Sequence, residues 1–583
     1  MKLILPILFL TSLTCWAQSN MVVTNPLVEE IMLGNYAPAD YEATEIIDNP
    51  QEIIAALQSN VSPEMLKNYL LELNIFETRH TASDTLSDTN GFGAARRWAI
   101  DKFTEWSEAN ENRLIPFYLQ FDEDICDMGQ HRNACAILPG MDATNPSIVI
   151  IEAHMDSRCA EPCDVTCTAM GMEDNASGTA LVIELARVMS QFSFDHSIVF
   201  MCTTGEEQGL FGAAAFADYC TQKGIEVKAV FNNDIVGGII CGETSSAPSC
   251  PGLGDVDSTQ VRLFSASGKS KQLSRFNKLQ YKEELENLVT VPMLLTIMTT
   301  EDRAGRGGDH IPFRQNGFAA MRFTSANEHG NANASDPDYH DRQHTSEDIL
   351  GVDTDGDMVL DSFFVNFNYL SRNAVINGVA AGMAALGPET PDFEGYRVDN
   401  GDSLVIEIID DLDYMHYRVF SRTNLQDFDT IYTLIGSKSI KLPYLTIPSS
   451  LNFISVAAVD ADGIESLFTD ETFLFPILNA AGELIEESMP ETNKLATLYQ
   501  NRPNPFDEAT AINFFVHDAA SIKEAYIGIF DMNGREIDRI ATAFKQGMNE
   551  VVYTHGYNQT GTFLYSLVVD GRVIESRRMI FAN

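Results

Sequence analysis

Apolar residues follow a helical spacing through the first hundred positions of the chain. Residues 26–110 predict a largely helical segment, in which Ser62 caps a helix that opens with Pro63. The spacing predicts a further helix over residues 94–106. The folded protein is therefore expected to begin with helices.

From about residue 115 the pattern changes to short, nearly continuous apolar runs that are separated by amphipathic helices. The runs are residues 147–152, 197–202, 229–232 and 318–323. Such runs are typical of parallel strands that are buried on both faces. The predicted fold class is α/β, with a mostly parallel sheet and helices on both faces. This domain is predicted to cover residues 18–388 and to end where Gly387-Pro388 breaks the last helix.

Strand-like runs fill most of the remainder of the chain. Residues 394–477 hold five or six of them and predict a small β-sandwich. Residues 479–493 are polar and acidic and predict a linker. Residues 495–583 predict a second small β-sandwich, with hairpin turns at Asn533-Gly534 and Asp570-Gly571.

The first seventeen residues have the pattern of a signal peptide. Lys2 supplies a positive start, residues 3–13 an apolar run, and Cys15-Trp16-Ala17 a cleavage site with small residues at its ends. A membrane anchor is the alternative, but the run is too short to span a bilayer. A lipid-modified Cys15 fits poorly with Leu13-Thr14 before it. Since no later stretch of the sequence is long and apolar enough to span a membrane, we expect a secreted or cell-surface protein.

Export permits disulfides, and nine cysteines follow the predicted cleavage site. The close pairs Cys126/Cys135 and Cys241/Cys250 suggest short bridged loops. The odd count leaves at least one free thiol, for which Cys202 in an apolar run is the candidate. A further group could form bridged loops or, less in keeping with export, a metal site; it consists of Cys159, Cys163 and Cys167.

The formal net charge of −45 argues against nucleic-acid binding, since no basic stripe is visible in the sequence. An acidic, well-solvated surface is the simplest interpretation of this charge. It does not identify a substrate.

Residues that can bind metal or move protons cluster where the apolar runs end. They are His154, Asp156, Asp174, Glu206, Glu207, Asp234 and His344. Ligands bind at the carboxyl ends of the strands in open parallel sheets, so these positions are expected to converge. Each one alone has a plainer interpretation: acidic residues are abundant here, Asp174-Asn175 can cap a helix, and a single His344 can lie on the surface. Only their joint placement favours a site.

In their order and motifs these residues resemble the zinc aminopeptidase family M28. The motifs are His154-x-Asp156, Asp174-Asn-Ala-Ser-Gly178, Glu206-Glu207, Asn233-Asp234, Asp309-His310-Ile-Pro-Phe313 and His344-Thr-Ser-Glu-Asp348, with Thr78-Arg79-His80-Thr81 and Gly91-Phe-Gly-Ala-Ala-Arg96 before them. The resemblance spans residues 60–386. The chain departs from the pattern in a cysteine-rich insertion between Asp156 and Asp174, which bears on substrate preference.

The resemblance implies an aminopeptidase with two zinc ions that acts on peptides or proteins. One zinc would be held by His154, Asp174 and Asp234, and the other by Asp174, Glu207 and His344. Three protein ligands per zinc are typical of a catalytic site, which keeps a position open. Glu206, which points away from its neighbour in an extended segment, would act as the general base. Asp156 would orient the imidazole of His154.

Two other functions remain open for the same fold. One is glutaminyl cyclisation with a single zinc, which Gly178 and the Gly-Glu-Glu-Gln-Gly-Leu-Phe-Gly run of residues 205–212 disfavour. The other is a binding protein that has lost catalysis, from which missing ligands would be expected. None of the implied ligands is missing in this sequence.

Two weaker motifs lie further along. Asp353-x-Asp355-Gly-Asp357 with Asp361 resembles part of a calcium loop, but Met358 and Phe364 stand where the loop requires glycine and an acidic residue. A solvated helix start is the preferred interpretation.

The final segment resembles the C-terminal sorting domain of type IX secretion, through Leu498-Tyr-Gln-Asn-Arg-Pro-Asn-Pro-Phe506 and Ile527-Gly-Ile-Phe-Asp-Met-Asn-Gly534. This resemblance implies recognition by the type IX secretion machinery after passage through the periplasm. Residues 394–477 resemble a fibronectin type III module, with a simple spacer as the alternative.

Overall fold

A computed structural model gives the architecture of most of the chain. It describes residues 20–240, 256–302, 306–325, 342–398, 403–409, 412–422, 427–443, 453–473, 496–506, 509–517, 519, 522–531, 536–541, 544–555, 560–570 and 572–582. Four predicted features lie outside these residues: the signal peptide, the Cys241/Cys250 pair, the linker of residues 479–493 and the Asn533-Gly534 turn.

Residues 26–110 are largely helical, as the apolar spacing predicts. The helices are α1 (Pro26–Met32), α2 (Pro50–Asn60), α3 (Pro63–Asn74), α4 (Gly91–Ala109), α5 (Ala176–Met189), α6 (Phe211–Lys223), α7 (Lys269–Gln280), α8 (His310–Gln315) and α9 (Phe367–Leu386). The Ser62 hydroxyl accepts a hydrogen bond of 3.3 Å from the backbone N–H of Met65, which confirms the capped start of α3. The last helix ends at Leu386, as predicted.

The following strands lie in the same part of the chain. They are β1 (Val22–Val23), β2 (Ile115–Ile125), β3 (Met128–Leu138), β4 (Ile148–His154), β5 (Ser197–Thr203), β6 (Val227–Asn233), β7 (Gln260–Phe264), β8 (Leu294–Ile297), β9 (Ala320–Ser325), β10 (Gly351–Val352) and β11 (Ser362–Phe363). Among the described residues, the first nine form one sheet in the order β1-β2-β3-β5-β4-β6-β9-β7-β8. The central strands β5, β4, β6 and β9 are parallel, and β1, β2 and β3 are antiparallel.

The sheet is covered on both faces, which confirms the predicted α/β class. Alternate residues of β4 enter two separate cores: Val149 and Ile151 pack with α2–α5 and α9, while Ile148 and Ile150 pack with α1, α6 and α8. The antiparallel pairing of β2 and β3 extends the sheet beyond the parallel strands that the apolar runs predict.

The C-terminal third consists of strands in the described residues. Its first strands are β12 (Phe393–Val398), β13 (Ser403–Ile408), β14 (His416–Arg422), β15 (Thr430–Ile435), β16 (Ser439–Pro443), β17 (Phe453–Val459) and β18 (Thr472–Phe473). The final strands are β19 (Ala496–Leu498), β20 (Ala509–Val516), β21 (Ala525–Phe530), β22 (Glu536–Ala541), β23 (Gly547–Thr554), β24 (Gly561–Val569) and β25 (Arg572–Phe581). Each group forms a three-stranded and a four-stranded sheet. Val569 of β24 pairs with Arg572 of β25, so these two strands form the predicted hairpin; Gly571 of its turn lies outside the described residues. The division into domains at the predicted boundaries stays a prediction.

One predicted disulfide is wrong. Cys126 is bonded to Cys163 and Cys159 to Cys167, while Cys135 is a free, buried thiol. Cys135 lies in β3, where its side chain enters the core against β5, and Cys126 lies in the β2–β3 turn beside the insertion. The triplet therefore forms bridged loops, and Cys202 is free and buried as predicted.

The interpretation of the Asp353 segment as a helix start is also wrong. The segment is the loop between the paired strands β10 and β11, and α9 begins only at Phe367. The Asp353 carboxylate accepts hydrogen bonds from the backbone N–H groups of Gly356 and Met358 at 2.6 and 2.7 Å. These bonds close a turn in place of a helix.

Candidate metal centre

The carboxyl ends of the central strands bring the predicted site residues together. His154 is the last residue of β4, Asp234 follows β6 directly, and Glu206 and Glu207 follow β5 after two intervening residues. Asp174 stands two residues before α5. Because β4, β5 and β6 are parallel and adjacent, their ends meet at one edge of the sheet.

Asp174 lies between two imidazoles. Its Oδ1 is 3.2 Å from Nε2 of His154, and its Oδ2 is 3.1 Å from Nε2 of His344. Asp234 approaches the first imidazole, with its Oδ1 at 3.4 Å from His154 Nε2. Glu207 approaches the second, with its Oε2 at 3.1 Å from His344 Nε2. The five side chains thus form two three-residue groups that share Asp174.

The backbone around Asp174 is fixed by neighbours on both sides. The carboxylate of Asp348 accepts hydrogen bonds from the N–H groups of Glu173 and Asp174 at 2.9 and 3.0 Å. Asn175 caps α5 by accepting a bond of 3.0 Å from Gly178 N–H. The helix-cap interpretation is therefore confirmed for Asn175, and Asp174 stands directly before this cap.

Asp156 holds the turn that carries the two glutamates. Its carboxylate accepts hydrogen bonds from the N–H groups of Gly205, Glu206 and Glu207 at 2.9, 3.3 and 3.3 Å. The hydroxyl of Thr81 donates a further bond of 3.0 Å to the same carboxylate. Asp156 thereby ties the end of β4 to the turn after β5.

The imidazole of His154 is oriented by the backbone of Asp156. Its Nδ1 lies 3.0 Å from the carbonyl oxygen of Asp156 and 3.9 Å from the carboxylate oxygen Oδ1. A protonated Nδ1 donates to that carbonyl, which leaves Nε2 free to face Asp174 and Asp234. The predicted orienting partner is thus present, with the closer contact through its main chain.

The charges of the site favour bound cations. Burial alone would lower the pKa of His154, but the carboxylates of Glu206 and Asp234 outweigh it and raise that pKa well above its usual value. His344 is likewise buried, yet Glu207 and Asp174 raise its pKa to about 9. Burial, and after it the nearby carboxylates of Asp234 and Glu207, raises the pKa of Glu206 well above its usual value. Such a surplus of buried negative charge is costly unless it is paired or binds metal.

The donor atoms fit zinc. Two imidazole nitrogens and three carboxylates are the ligand types that zinc takes in catalytic sites. Oε1 of Glu207 is buried and has no hydrogen-bond partner, and a bound cation would satisfy this oxygen.

Several residues that shape this site were not singled out as site residues from the sequence. Arg158 donates from Nε to Oε2 of Glu207 at 2.7 Å and from Nη2 to Nδ1 of His344 at 2.7 Å. Arg79 is buried and donates to backbone oxygens of Met155 and Gly171 at 2.9 and 2.6 Å, on both sides of the insertion. Arg79 and Thr81 stand in the Thr-Arg-His-Thr motif of residues 78–81, whereas nothing in the sequence marks Arg158.

Comparison with known proteins identifies the family. Residues 133–356 match the model of peptidase family M28. A probable zinc metalloprotease of Pyricularia oryzae is 30% identical over 391 residues, which cover 63% of this chain and 73% of that protein. The chain belongs to peptidase family M28. It is accordingly a hydrolase, and the resemblance stated from the motifs is confirmed.

A further relative matches over more of its length, and two solved structures match at low sequence identity. A probable zinc metalloprotease of Leptosphaeria maculans is 27% identical over 445 residues, covering 73% of this chain and 98% of the relative. The structure of the Legionella pneumophila LapA aminopeptidase gives a TM-score of 0.42 at 19% identity, covering 60% of this chain and 78% of that one. The structure of Porphyromonas gingivalis glutaminyl cyclase gives 0.34 at 17% identity, covering 55% and 97%. TM-scores this low do not discriminate between the two activities.

Proposed function

We propose that this M28 peptidase is a di-zinc aminopeptidase that releases N-terminal residues from peptides. The observation that carries the proposal is the position of Asp174, whose two oxygens face the imidazoles of His154 and His344 at 3.2 and 3.1 Å. One zinc would be held by His154, Asp174 and Asp234, and a second by Asp174, Glu207 and His344, the two groups that share Asp174. Each would keep a position open for substrate or water.

Glu206 has the role of proton carrier in this proposal. Zinc bound at these ligands supplies Lewis acidity toward a carbonyl and toward water. The Glu206 carboxylate, held at the turn by Asp156, takes the proton from the attacking water and returns it to the leaving amine. His154 and Asp174 keep their positions because the groups that hold them do not take part in the reaction: the carbonyl oxygen of Asp156 contacts Nδ1 of His154, and the carboxylate of Asp348 accepts a hydrogen bond from the backbone N–H of Asp174.

Metal analysis of the purified protein tests the proposal. The expected result is close to two zinc ions per chain, together with hydrolysis of amino-acid p-nitroanilides. Substitution of Asp174 by Asn should remove both ions, whereas substitution of His344 by Ala should remove one. One tightly held zinc, with N-terminal glutamine cyclised faster than any peptide is cut, would favour the cyclase alternative.

We also propose that the protein is exported and that residues 495–583 address it to the type IX secretion machinery. Two disulfides near the site support an oxidising compartment. None of the helices in the described residues has the length and apolarity that crossing a bilayer requires. The motif-bearing segment 496–506 leads into a β unit with its own core, which supports an autonomous recognition module.

A further inference from the structure

Three arginines line the cavity beside the proposed metal ligands. The cavity has a volume of about 340 Å³ and is bordered by Arg158, Arg306 and Arg322 as well as by Glu206 and Glu207. The chain as a whole carries a net charge of −45, so a concentration of guanidinium groups here is unexpected. The three arginines differ in the partners that the protein itself provides for them.

Arg322 is neutralised within the fold. It is buried at the end of the sheet, where its Nη1 lies 2.9 Å from Oδ2 of Asp302 and its Nη2 lies 3.1 Å from Oδ2 of Asp234. Its place is structural, since it supports the strand end that carries Asp234.

Within the described ranges, and apart from two backbone oxygens, Arg158 contacts only Glu207 and His344, which are both proposed zinc ligands. It donates to Glu207 and His344, each at 2.7 Å, and its Nη1 donates to the carbonyl oxygen of Ala160 at 2.9 Å. The side chain is 16% exposed and stands beside Cys159, whose bond to Cys167 closes the insertion loop. A carboxylate that binds zinc has little charge left for a guanidinium, so Arg158 retains a positive charge at the cavity wall.

Arg306 has a neutral partner. Its Nη2 donates to Oε1 of Gln343 at 2.6 Å, and Gln343 in turn donates to Oδ2 of Asp174 at 2.8 Å. In the described part of the chain no carboxylate lies within ion-pair distance of Arg306. The guanidinium is half-buried and lines the same cavity as Arg158.

Neither arginine keeps a carboxylate of its own among the described residues once metal is bound. Glu207, the ion-pair partner of Arg158, is a proposed zinc ligand, and Arg306 contacts the amide of Gln343. We propose that Arg158 and Arg306 bind a carboxylate of the substrate, so that the enzyme prefers peptides with a carboxylate next to the scissile bond. Guanidinium groups bind carboxylates through paired, charge-assisted hydrogen bonds that a neutral amide cannot replace. This inference rests on the proposed di-zinc peptidase function and adds its substrate class.

The carboxylate can come from an acidic side chain or from the C-terminus of a short peptide. Two matched substrate pairs separate these sources: Glu-Ala-Ala-amide against Gln-Ala-Ala-amide, and Ala-Ala with a free C-terminus against Ala-Ala-amide. We expect kcat/KM to be at least about tenfold higher for the acidic member of one pair, since a hydrogen bond to a charged group is worth that much. The pair that shows the preference identifies the source.

Variants of Arg306 test whether the preference comes from the cavity. Arg306→Gln should bring the ratio of kcat/KM values, acidic peptide over neutral peptide, close to one in the preferred pair. Arg306→Lys keeps the positive charge but loses the paired N–H donors of the guanidinium, so it should give an intermediate ratio. Lys223→Met is the matched control, because Lys223 ends α6, about 18 Å along the helix from its start near the cavity. This control should keep the wild-type ratio, and zinc content should equal two per chain in every variant.

Three results would overturn the inference. They are equal kcat/KM values within both pairs for the wild type, a preference for the amides, and a preference for the acid that survives in Arg306→Gln. In each of these cases the peptidase function itself would stand. If none of the four peptides were hydrolysed, the proposed function would fail and the inference with it.

Discussion

Glu206 and Glu207 are neighbours of identical chemistry that the structure places in different surroundings. Glu207 faces the imidazole of His344 and the guanidinium of Arg158, at 3.1 and 2.7 Å. Glu206 lines the open cavity; with His154 and Glu207 it forms a further group that could hold a metal ion, but it takes part in neither group that shares Asp174. We therefore expect Glu207 to bind metal and Glu206 to meet substrate and water.

The different surroundings of Glu206 and Glu207 predict different effects of substituting them. Glu206→Gln should keep about two zinc ions per chain and lower kcat by about 10²–10⁴-fold, because the substitution removes a base and no ligand. Metal analysis and p-nitroanilide kinetics measure both effects. Glu207→Gln is the matched control and should lose zinc. If Glu206→Gln lost zinc and Glu207→Gln kept it, the two roles would have to be exchanged.

At the scale of elements, the sequence predicted the parts of the site that depend on strand ends. Continuous apolar runs identify β4, β5 and β6, and a parallel sheet brings their ends together. The sequence pattern could not predict the contacts of Arg158 or the Cys126–Cys163 bond, because these depend on how the insertion folds back over the sheet. Likewise, the antiparallel strands β2 and β3 contain mixed polar and apolar residues that no buried-strand pattern reveals.

A buried histidine at the start of β5 makes a prediction about pH. Burial, with the nearby charge of Lys228, lowers the pKa of His196 to about 4, against weaker opposing effects from Glu389 and Asp142. Nζ of Lys228 donates to Nε2 of His196 at 2.7 Å, and the Ser147 hydroxyl lies 2.9 Å from Nδ1. These contacts require a neutral ring. Because the unfolded chain takes up the proton near pH 6.5, stability is full above that value and is lost as pH falls toward 4.

The size of this loss can be measured. One pKa unit corresponds to about 1.4 kcal/mol, so His196 should account for up to roughly 3 kcal/mol between pH 7 and pH 4. Urea unfolding in the presence of a chelator, followed by the fluorescence of Trp98 and Trp106 on α4, removes the contribution of metal. His196→Gln should be less stable at pH 7 but lose less stability on acidification. His416→Gln is the control and should lose as much stability on acidification as the wild type. The prediction would be contradicted if His196→Gln also lost as much as the wild type.

At the scale of the whole molecule, the two C-terminal β units relate differently to the catalytic unit. Phe420 in β14 and Phe468 between β17 and β18 belong to the same apolar core as Phe276 of α7. Arg418 of β14 also joins the two regions, since its Nη2 lies 2.7 Å from Glu283, just after α7; its Nη1 lies 3.0 Å from Glu465 of its own β unit. The final unit has a separate core, and Phe453 with Ala509 and Ala511 forms a small apolar contact between the two β units.

Two truncations should therefore behave differently. Removal of residues 495–583 should leave zinc content and kcat/KM of the purified protein within about twofold of the full chain, because every proposed ligand and the base precede residue 345. Removal of residues 389–583 should also uncover the apolar side chains that face Phe420 and Phe468, and should lower the urea midpoint of the catalytic unit. In the native host, the shorter deletion should strand an active enzyme in the periplasm. Normal secretion of that truncated protein would refute the sorting role, and loss of its activity would make the tail part of the enzyme.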